Sequence, residues 1–277
     1  MDAQNFAFCV VDEAHCVSEW GHDFRTSYLR LGDTARRYCP SADNHLPILA
    51  LTGTASYDVL SDVQKELHIS DSSALVRPQS YEREELHFDI IQTASPNSDQ
   101  FYKIWEQCAF AKKSSLNRVL QRIPQVLNIN INFEKFMDPN ADVQSAGLVF
   151  CPHKTGPFGA KTITTFLQKS YPQISSAIGT YHGASDSSID FDDGDIEQVQ
   201  IDFMKGQKSL LACTKAFGMG IDKPNIRFTV HIAMPQSIEA FYQEAGRAGR
   251  DRSKAYCGII YVSAQTSAFS TGVPDLR

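Results

Sequence analysis

The sequence predicts an α/β protein with parallel sheets. Three observations carry this. Short apolar runs alternate with stretches whose apolar residues repeat at helical spacing, and this is the signature of strand–helix–strand units. Several runs, such as Phe6–Val11 and Gly147–Cys151, are near-continuously apolar, as expected of strands buried on both faces of a parallel sheet. With 277 residues and 42% hydrophobic content, the chain can build two domains with ordinary cores.

The elements follow in order. A strand is expected at Phe6–Val11 and a short one at Ile48–Leu51. Thr52-Gly53-Thr54-Ala55-Ser56 reads as a turn, with Ser56 capping a helix that carries Val59, Leu60, Val63 and Leu67. Periodicity breaks down over Val76–Leu86, read here as the hinge between residues 1–80 and 81–277. Phe101, Ile104, Trp105 and Cys108 predict one helix, and Leu116, Val119, Leu120 and Ile123 predict another. The strand Gly147–Cys151 precedes a helix marked by Ile163, Phe166 and Leu167. Further strands are expected at Ser209–Cys213, Ile226–Ile232 and Tyr256–Val262. Between the last two, Ser237 can cap a helix that turns Ile238, Phe241 and Ala245 inward.

Composition excludes some functions. A net charge of −6 argues against a generally basic nucleic-acid coat, so any such binding must use a local patch or groove. Seven cysteines without a C-x-x-C pair read as small buried thiols, notably Cys9, Cys151, Cys213 and Cys257. No zinc site is visible, because the eight histidines lack metal-ligand spacing. No apolar run is long enough to span a membrane, and no signal peptide is apparent. From Gly183 to Asp202 the chain holds seven acids and no lysine or arginine, and its core, Ser185–Asp195, reads as an exposed, mobile loop. Metal binding by those aspartates is a sharper alternative, but their spacing is not that of an EF-hand.

Two motifs carry chemistry. Gln243-Glu244-Ala245-Gly246-Arg247-Ala248-Gly249-Arg250-Asp251-Arg252 sets two arginines three residues apart, each after a glycine. Guanidinium forks match phosphate oxygens in pairs, and small neighbours allow close approach, as an arginine finger requires. Taken alone, the run suits a solvated helix end equally well. The strand Phe6–Val11 ends in Asp12-Glu13-Ala14-His15. Ligands of open α/β sheets bind at the carboxyl ends of strands. Asp12 can hold a magnesium ion through a water, and Glu13 can orient or deprotonate an attacking water. An Asp-Glu pair after an apolar run can also be simply a loop start.

Asp12-Glu13-Ala14-His15 followed by Cys16-Val17-Ser18-Glu19-Trp20-Gly21-His22-Asp23-Phe24-Arg25 resembles the RecQ family of DNA helicases. Ala216-Phe217-Gly218-Met219-Gly220-Ile221-Asp222-Lys223-Pro224-Asn225 and the arginine run agree, in the same order. The resemblance, most like the Werner-syndrome type, covers most of the chain and is interrupted near 112–145 and 184–197. It implies two RecA-like lobes, the first incomplete here, with ATP and Mg2+ as cofactors. It also implies 3′-to-5′ unwinding of DNA, single-stranded and duplex junctions, and a nuclear role in repair or recombination. By resemblance, Asp12, Glu13, His15, Gln243, Arg247 and Arg250 are catalytic, with Arg250 the finger. Gly220 and Asp222 join Asp12, Arg247 and Arg250 at the nucleotide. Trp20, His22, Phe24, Arg25, Thr52, Thr54, His153, Lys154 and His182 face DNA.

For Trp20 and Phe24 the residues alone favour a helical core face, since Trp20, Phe24 and Tyr28 are spaced by four. The resemblance turns the reading to base stacking. For His153, Lys154 and His182, buried or capping roles stay open beside a DNA contact. Gly53 stands where the family has alanine.

The family's phosphate-binding loop would precede the Asp-Glu-Ala-His strand by roughly a hundred residues, as the resemblance implies. Only eleven residues precede Asp12, and no G-x-x-x-x-G-K-[ST] occurs. Gly156-Pro157-Phe158-Gly159-Ala160-Lys161-Thr162 has an extra residue before its lysine and reads as a surface insertion. The expectation is a piece of a longer enzyme, from an incomplete gene model or a short isoform. An inactive nucleic-acid-binding remnant is the alternative.

Overall fold

The computed structural model describes residues 6–19, 30–39, 46–53, 57–77, 80, 82–93, 101–183, 196–217 and 221–262. The chain divides into two compact units, Met1–Glu82 and Arg83–Arg277.

In the first unit, β1 (Cys9–Val11) pairs in parallel with β2 (Ile48–Ala50). The helices are α1 (Cys16–Glu19), α2 (Leu31–Tyr38) and α3 (Tyr57–Glu66). Val11, Ala14, Val17, Val59, Val63 and Leu67 form the core. Arg36 Nη2 donates to the Leu67 carbonyl at 2.8 Å, tying α2 to the end of α3. The expectation of a doubly buried strand over Phe6–Val11 is corrected. The strand begins at Cys9, and Phe6, Phe8 and Val10 are exposed. Val11 is buried in the core and Cys9 packs against it half-buried, so the apolar run overstated burial.

The second unit is a six-stranded, all-parallel sheet. Its strands are β3 (Leu86–Thr93), β4 (Ala146–Phe150), β5 (Ile178–Tyr181), β6 (Leu210–Cys213), β7 (Ile226–His231) and β8 (Ala255–Val262), in the order β3-β8-β7-β4-β6-β5. Its helices are α4 (Phe101–Val126), α5 (Phe133–Phe136), α6 (Ala160–Ser170), α7 (Ile196–Met204) and α8 (Ile238–Ala245).

Alternate strand residues feed two separate cores. Val149, Leu210, Ala212, Phe228, Val230 and Ile260 pack with Leu116, Leu120 and Ile123 of α4 and Ile163 and Leu167 of α6. Leu148, Phe150, Leu211, Cys213 and Cys257 pack with Phe203 of α7 and Ala245 of α8. Both faces are therefore covered, which is why these strands are apolar throughout.

Several expectations change here. The two helices expected between Phe101 and Ile123 are one helix of 26 residues. Nothing between them breaks a helix: Ala111, Lys112, Lys113, Ser114 and Ser115 are all compatible with one, and the only proline is Pro124 in the last turn. Residues 112–145, where the resemblance lapses, supply core side chains from α4 and α5. Lys112 is itself buried, donating to the Ile232 carbonyl at 2.7 Å and lying 4.9 Å from the Phe158 ring centre.

The surface reading of Gly156–Thr162 is overturned as well. Phe158 and Ala160 are buried, and Gly159 begins α6 where a Cβ would strike the Thr155 backbone. Residues 185–195, read as a loop, lie outside the described residues, and the acidic stretch continues into the helix Ile196–Met204, which buries Phe203. β3 and β5 were not foreseen as strands. Ser237 caps α8 as expected, accepting from the Ala240 amide at 3.1 Å.

Gly147 of β4 lies against the ring of the fully buried Phe228, and a Cβ there would overlap it. Gly147→Ala should destabilise the second unit by about 1–3 kcal/mol, the usual cost of overpacking. Phe228→Leu in the same chain should recover part of it. Urea unfolding midpoints check both.

Candidate functional site

In the first unit, β1 delivers Asp12 and Glu13 at its carboxyl end. Asp12 is exposed, and its Oδ1 accepts from the Glu13 amide at 2.9 Å. Glu13 has φ 49°, a left-handed conformation uncommon for a side chain of its size. The Ala14 amide donates to the Leu51 carbonyl and the Leu51 amide to the Val11 carbonyl, both at 2.8 Å. These bonds bring the turn after β2 against the acid motif. His15, buried, joins them: its Nδ1 is 3.1 Å from Thr52 Oγ1 and 3.3 Å from Glu13 Oε2. Three residues selected at two separate places in the sequence thus meet at one imidazole nitrogen.

In the second unit the selected residues divide between the two edges of the sheet. His153 and Lys154 follow β4, and His182 follows β5, so all three leave the carboxyl ends of parallel strands. His153 is exposed and Lys154 half-buried, while their carbonyls accept from the Ala160 and Lys161 amides at the start of α6. His182 is buried and its Nδ1 donates to the Gly183 carbonyl at 3.0 Å. The arginine run lies at the opposite edge, since the Gly249 amide donates to the carbonyl of Ile226, the first residue of β7.

Arg250 Nη1 bonds Asp222 Oδ1 at 2.9 Å, joining two residues selected from different motifs. The Asp222 side chain is 82% exposed and that of Arg250 37%. An ion pair so open to water holds its arginine weakly. Arg250 can therefore exchange Asp222 for a phosphate oxygen at little cost. Arg247 is half-buried and Gln243 exposed. The charge of Arg247 is felt by Cys213, whose thiol burial pushes well above its ordinary value. Lys223, beside Asp222, is buried against the Phe203 ring, and desolvation lowers its pKa. Trp20, His22, Phe24, Arg25, Thr54 and Gly220 lie outside the described residues.

Sequence reasoning missed the groups that hold the arginine run. Arg83 reaches three of its carbonyls, and Glu85 holds Arg83. Arg227 of β7 bonds the Asp251 carboxylate and the Pro224 carbonyl. His231 Nε2 meets Glu244 Oε2 of α8 at 2.7 Å, with the imidazole stacked on Phe150. The sequence signal was slight. Arg83 and Glu85 sat in a stretch read as a hinge, and Arg227 and His231 looked like strand residues.

Among the described residues, no group of three His, Cys, Asp or Glu side chains could hold a metal ion. The single exposed carboxylate of Asp12 suits a cation bound through water. All seven cysteines are free, with Cys108, Cys151, Cys213 and Cys257 buried. Among the described residues, no helix is long and apolar enough to cross a membrane.

Comparison with known proteins is consistent with this arrangement. Residues 130–252 match the helicase conserved C-terminal domain family. The chain is 31% identical over 252 residues to the RecQ-like DNA helicase blm-1 of Caenorhabditis elegans, covering 91% of this chain and 20% of that protein. It is 32% identical over 260 residues to ATP-dependent DNA helicase Q1 of Mus musculus, covering 94% and 32%. Over most of its own length the chain is thus similar to RecQ-like DNA helicases.

With ATP-dependent DNA helicase RecQ of Haemophilus influenzae it shares 30% identity over 257 residues, covering 93% and 33%. The chain thus spans a fifth to a third of the length of these relatives. Solved helicases share the fold. S. cerevisiae Dbp5 bound to RNA and ADP BeF3 aligns with a TM-score of 0.58 at 16% identity, over 95% of this chain and 55% of that one. Mycobacterium smegmatis helicase Lhr bound to ssDNA and AMP-PNP gives 0.58 at 17%, over 91% and 28%. The architecture is that of tandem RecA-like lobes.

The arginine run depends on carboxylates that work against desolvation. Burial raises the Asp251 pKa, but hydrogen bonds from Arg227 and the Ser253 amide outweigh this and hold it below its ordinary 3.8. A carboxylate held low in the folded chain adds stability that is complete above the unfolded value and lost as pH falls through the folded one. Stability of the second unit should therefore fall as acid is added below about pH 4. Asp251→Asn should be less stable at pH 7 and show a flatter acid fall. Urea midpoints across that range measure both.

Proposed function

We propose that this chain belongs to an ATP-dependent DNA helicase of the RecQ type, which couples ATP hydrolysis to 3′-to-5′ unwinding in DNA repair or recombination. Within the family we read its motifs as most like the Werner-syndrome type, and we place it in the nucleus. The observation that carries the reading is the meeting of Glu13, His15 and Thr52. A carboxylate suited to orienting water and a hydroxyl on a turn suited to contacting DNA share one imidazole. A change at either can be passed to the other through His15.

In this reading Asp12 would hold Mg2+, and Glu13 would orient the attacking water. Bound Mg2+ with ATP supplies neutralisation of the phosphate oxygens as charge shifts during transfer. By resemblance Arg250, with Arg247 and Gln243, would contact nucleotide phosphates in exchange for the exposed Asp222. Asp222 follows Gly220 in its motif, and the freed Asp222 reports the change to the segment leading into β7. His153 and Lys154, at the carboxyl edge of the sheet, meet the DNA backbone, while the buried His182 takes the structural role left open for it. By resemblance Trp20 and Phe24 stack on bases and Arg25 supplies a cation, with His22, Thr52 and Thr54 also contacting DNA.

A second reading is a nucleic-acid-binding piece without turnover of its own. It is favoured by one observation, the lack of a G-x-x-x-x-G-K-[ST] run within the 277 residues.

ATP hydrolysis by this chain, with and without single-stranded DNA, decides between them. The helicase reading expects DNA-stimulated turnover that is lost in Asp12→Ala/Glu13→Ala and cut about a thousandfold in Arg250→Ala. DNA binding with no turnover above the double variant selects the second reading. Equal unwinding of DNA and RNA duplexes would remove the DNA preference.

A further inference from the structure

The arginine run is held from a place 163 residues away in the chain. Arg83 Nη1 donates to the Gly246 carbonyl at 2.9 Å. Its Nη2 donates to the Ala248 carbonyl at 3.0 Å and the Gly249 carbonyl at 3.1 Å. Nε donates to Glu85 Oε1 at 2.6 Å. Those carbonyls flank Arg247 on both sides and immediately precede Arg250.

The need for such a clamp is physical. Gly246 ends α8, where the last carbonyls of a helix have no partner within the helix and attract a cation. After it the chain must turn sharply, and Gly249 does so at φ 65°. A Cβ at Gly249 would press on Glu85 Cγ at 3.1 Å and Leu86 Cδ2 at 3.3 Å. The Arg83 side chain is 23% exposed and that of Glu85 8%. Desolvation opposes the Glu85 charge, yet bonds from its own amide and from Arg83 hold its carboxyl below the usual value. A planar fork reaching three carbonyls at once is something lysine cannot reproduce, because its ammonium is a single point of charge.

We propose that Arg83 is the positioning residue of the arginine run. Locked by Glu85, it fixes the backbone from which Arg247 and Arg250 are presented to the phosphates of a nucleotide. The phosphate target rests on the helicase reading above. The clamp itself does not, and the two are tested separately.

Arg83→Lys, Arg83→Met and Glu85→Gln are made in the 277-residue chain, with thermal melting to establish folding. Glu85→Gln keeps the shape and guards against a fold lost in Arg83→Met. Hydrogen exchange of amides 246–252 is compared with that of β7 and β8. The clamp predicts at least about tenfold faster exchange confined to 246–252 in both Arg83 variants, with the lysine giving no rescue. Unchanged exchange there, or equal acceleration throughout both strands, overturns it.

DNA-stimulated ATP turnover is read alongside. With wild-type turnover present, kcat should fall about a hundredfold at unchanged KM, the usual penalty of misplacing a group by about an ångström. A kcat within twofold of wild type overturns the proposal. No turnover in the wild type counts against the helicase reading alone, and the exchange result then decides on Arg83.

Discussion

Covering both faces of a parallel sheet is the constraint from which the second unit follows. Parallel neighbours cannot be joined by tight hairpins, so connections cross a face, and those from β3 to β4, β4 to β5, β5 to β6 and β7 to β8 leave helices there. Side chains on β4, β6, β7 and β8 then alternate between two dry cores and have no room for chemistry. Two polar side chains within the sheet are partly satisfied: His231 lies on Phe150 and against Glu244, and Arg227 takes Asp251, while Arg227 Nη1, His231 Nδ1 and Thr229 Oγ1 are buried without a hydrogen-bond partner among the described residues. Function is left to the ends of the strands, where the backbone turns and water enters.

That division gives the unit two unlike edges. At the carboxyl edge, His153, Lys154 and His182 lie on turns whose own backbone bonds set their course. At the amino edge, the arginine run is not self-supporting. It turns at Gly249, and its carbonyls are taken by Arg83 while Asp251 is taken by Arg227. Two arginines are fixed structurally so that two others, Arg247 and Arg250, are offered with defined origins. Among the described residues Arg250 pairs with Asp222, which is itself exposed.

Much of this was legible in the sequence, for a physical reason. Strands buried on both faces write themselves as apolar runs, so β4, β6, β7 and β8 were found to within one residue at either end. The cap at Ser237 has its own chemical mark. β1 was overcalled because an apolar run records tolerance for burial, and Phe6 and Phe8 are exposed here. β3 escaped because an edge strand is only half-covered: Phe88, Ile90 and Gln92 are exposed, while Asp89 and Ile91 between them are half-buried and Thr93 is buried. α4 was split because its buried face passes through Lys112, a charge that periodicity counts as polar and that the fold uses as a donor to Ile232.

The site shows the same boundary between what spacing records and what folding decides. Asp12, Glu13 and His15 stand together in the sequence, and so do Arg247 and Arg250, so proximity alone could select them. Thr52 reaches His15 only because β2 lies parallel to β1 and its carboxyl end emerges beside the acid motif. Arg83 reaches the arginine run only because β3 is laid against β8, with Leu86 opposite Ala255, just beyond that run. Register is a property of the sheet and of no single segment. The residues that present the charges are therefore local and readable, while those that aim them are set by which strand lies beside which.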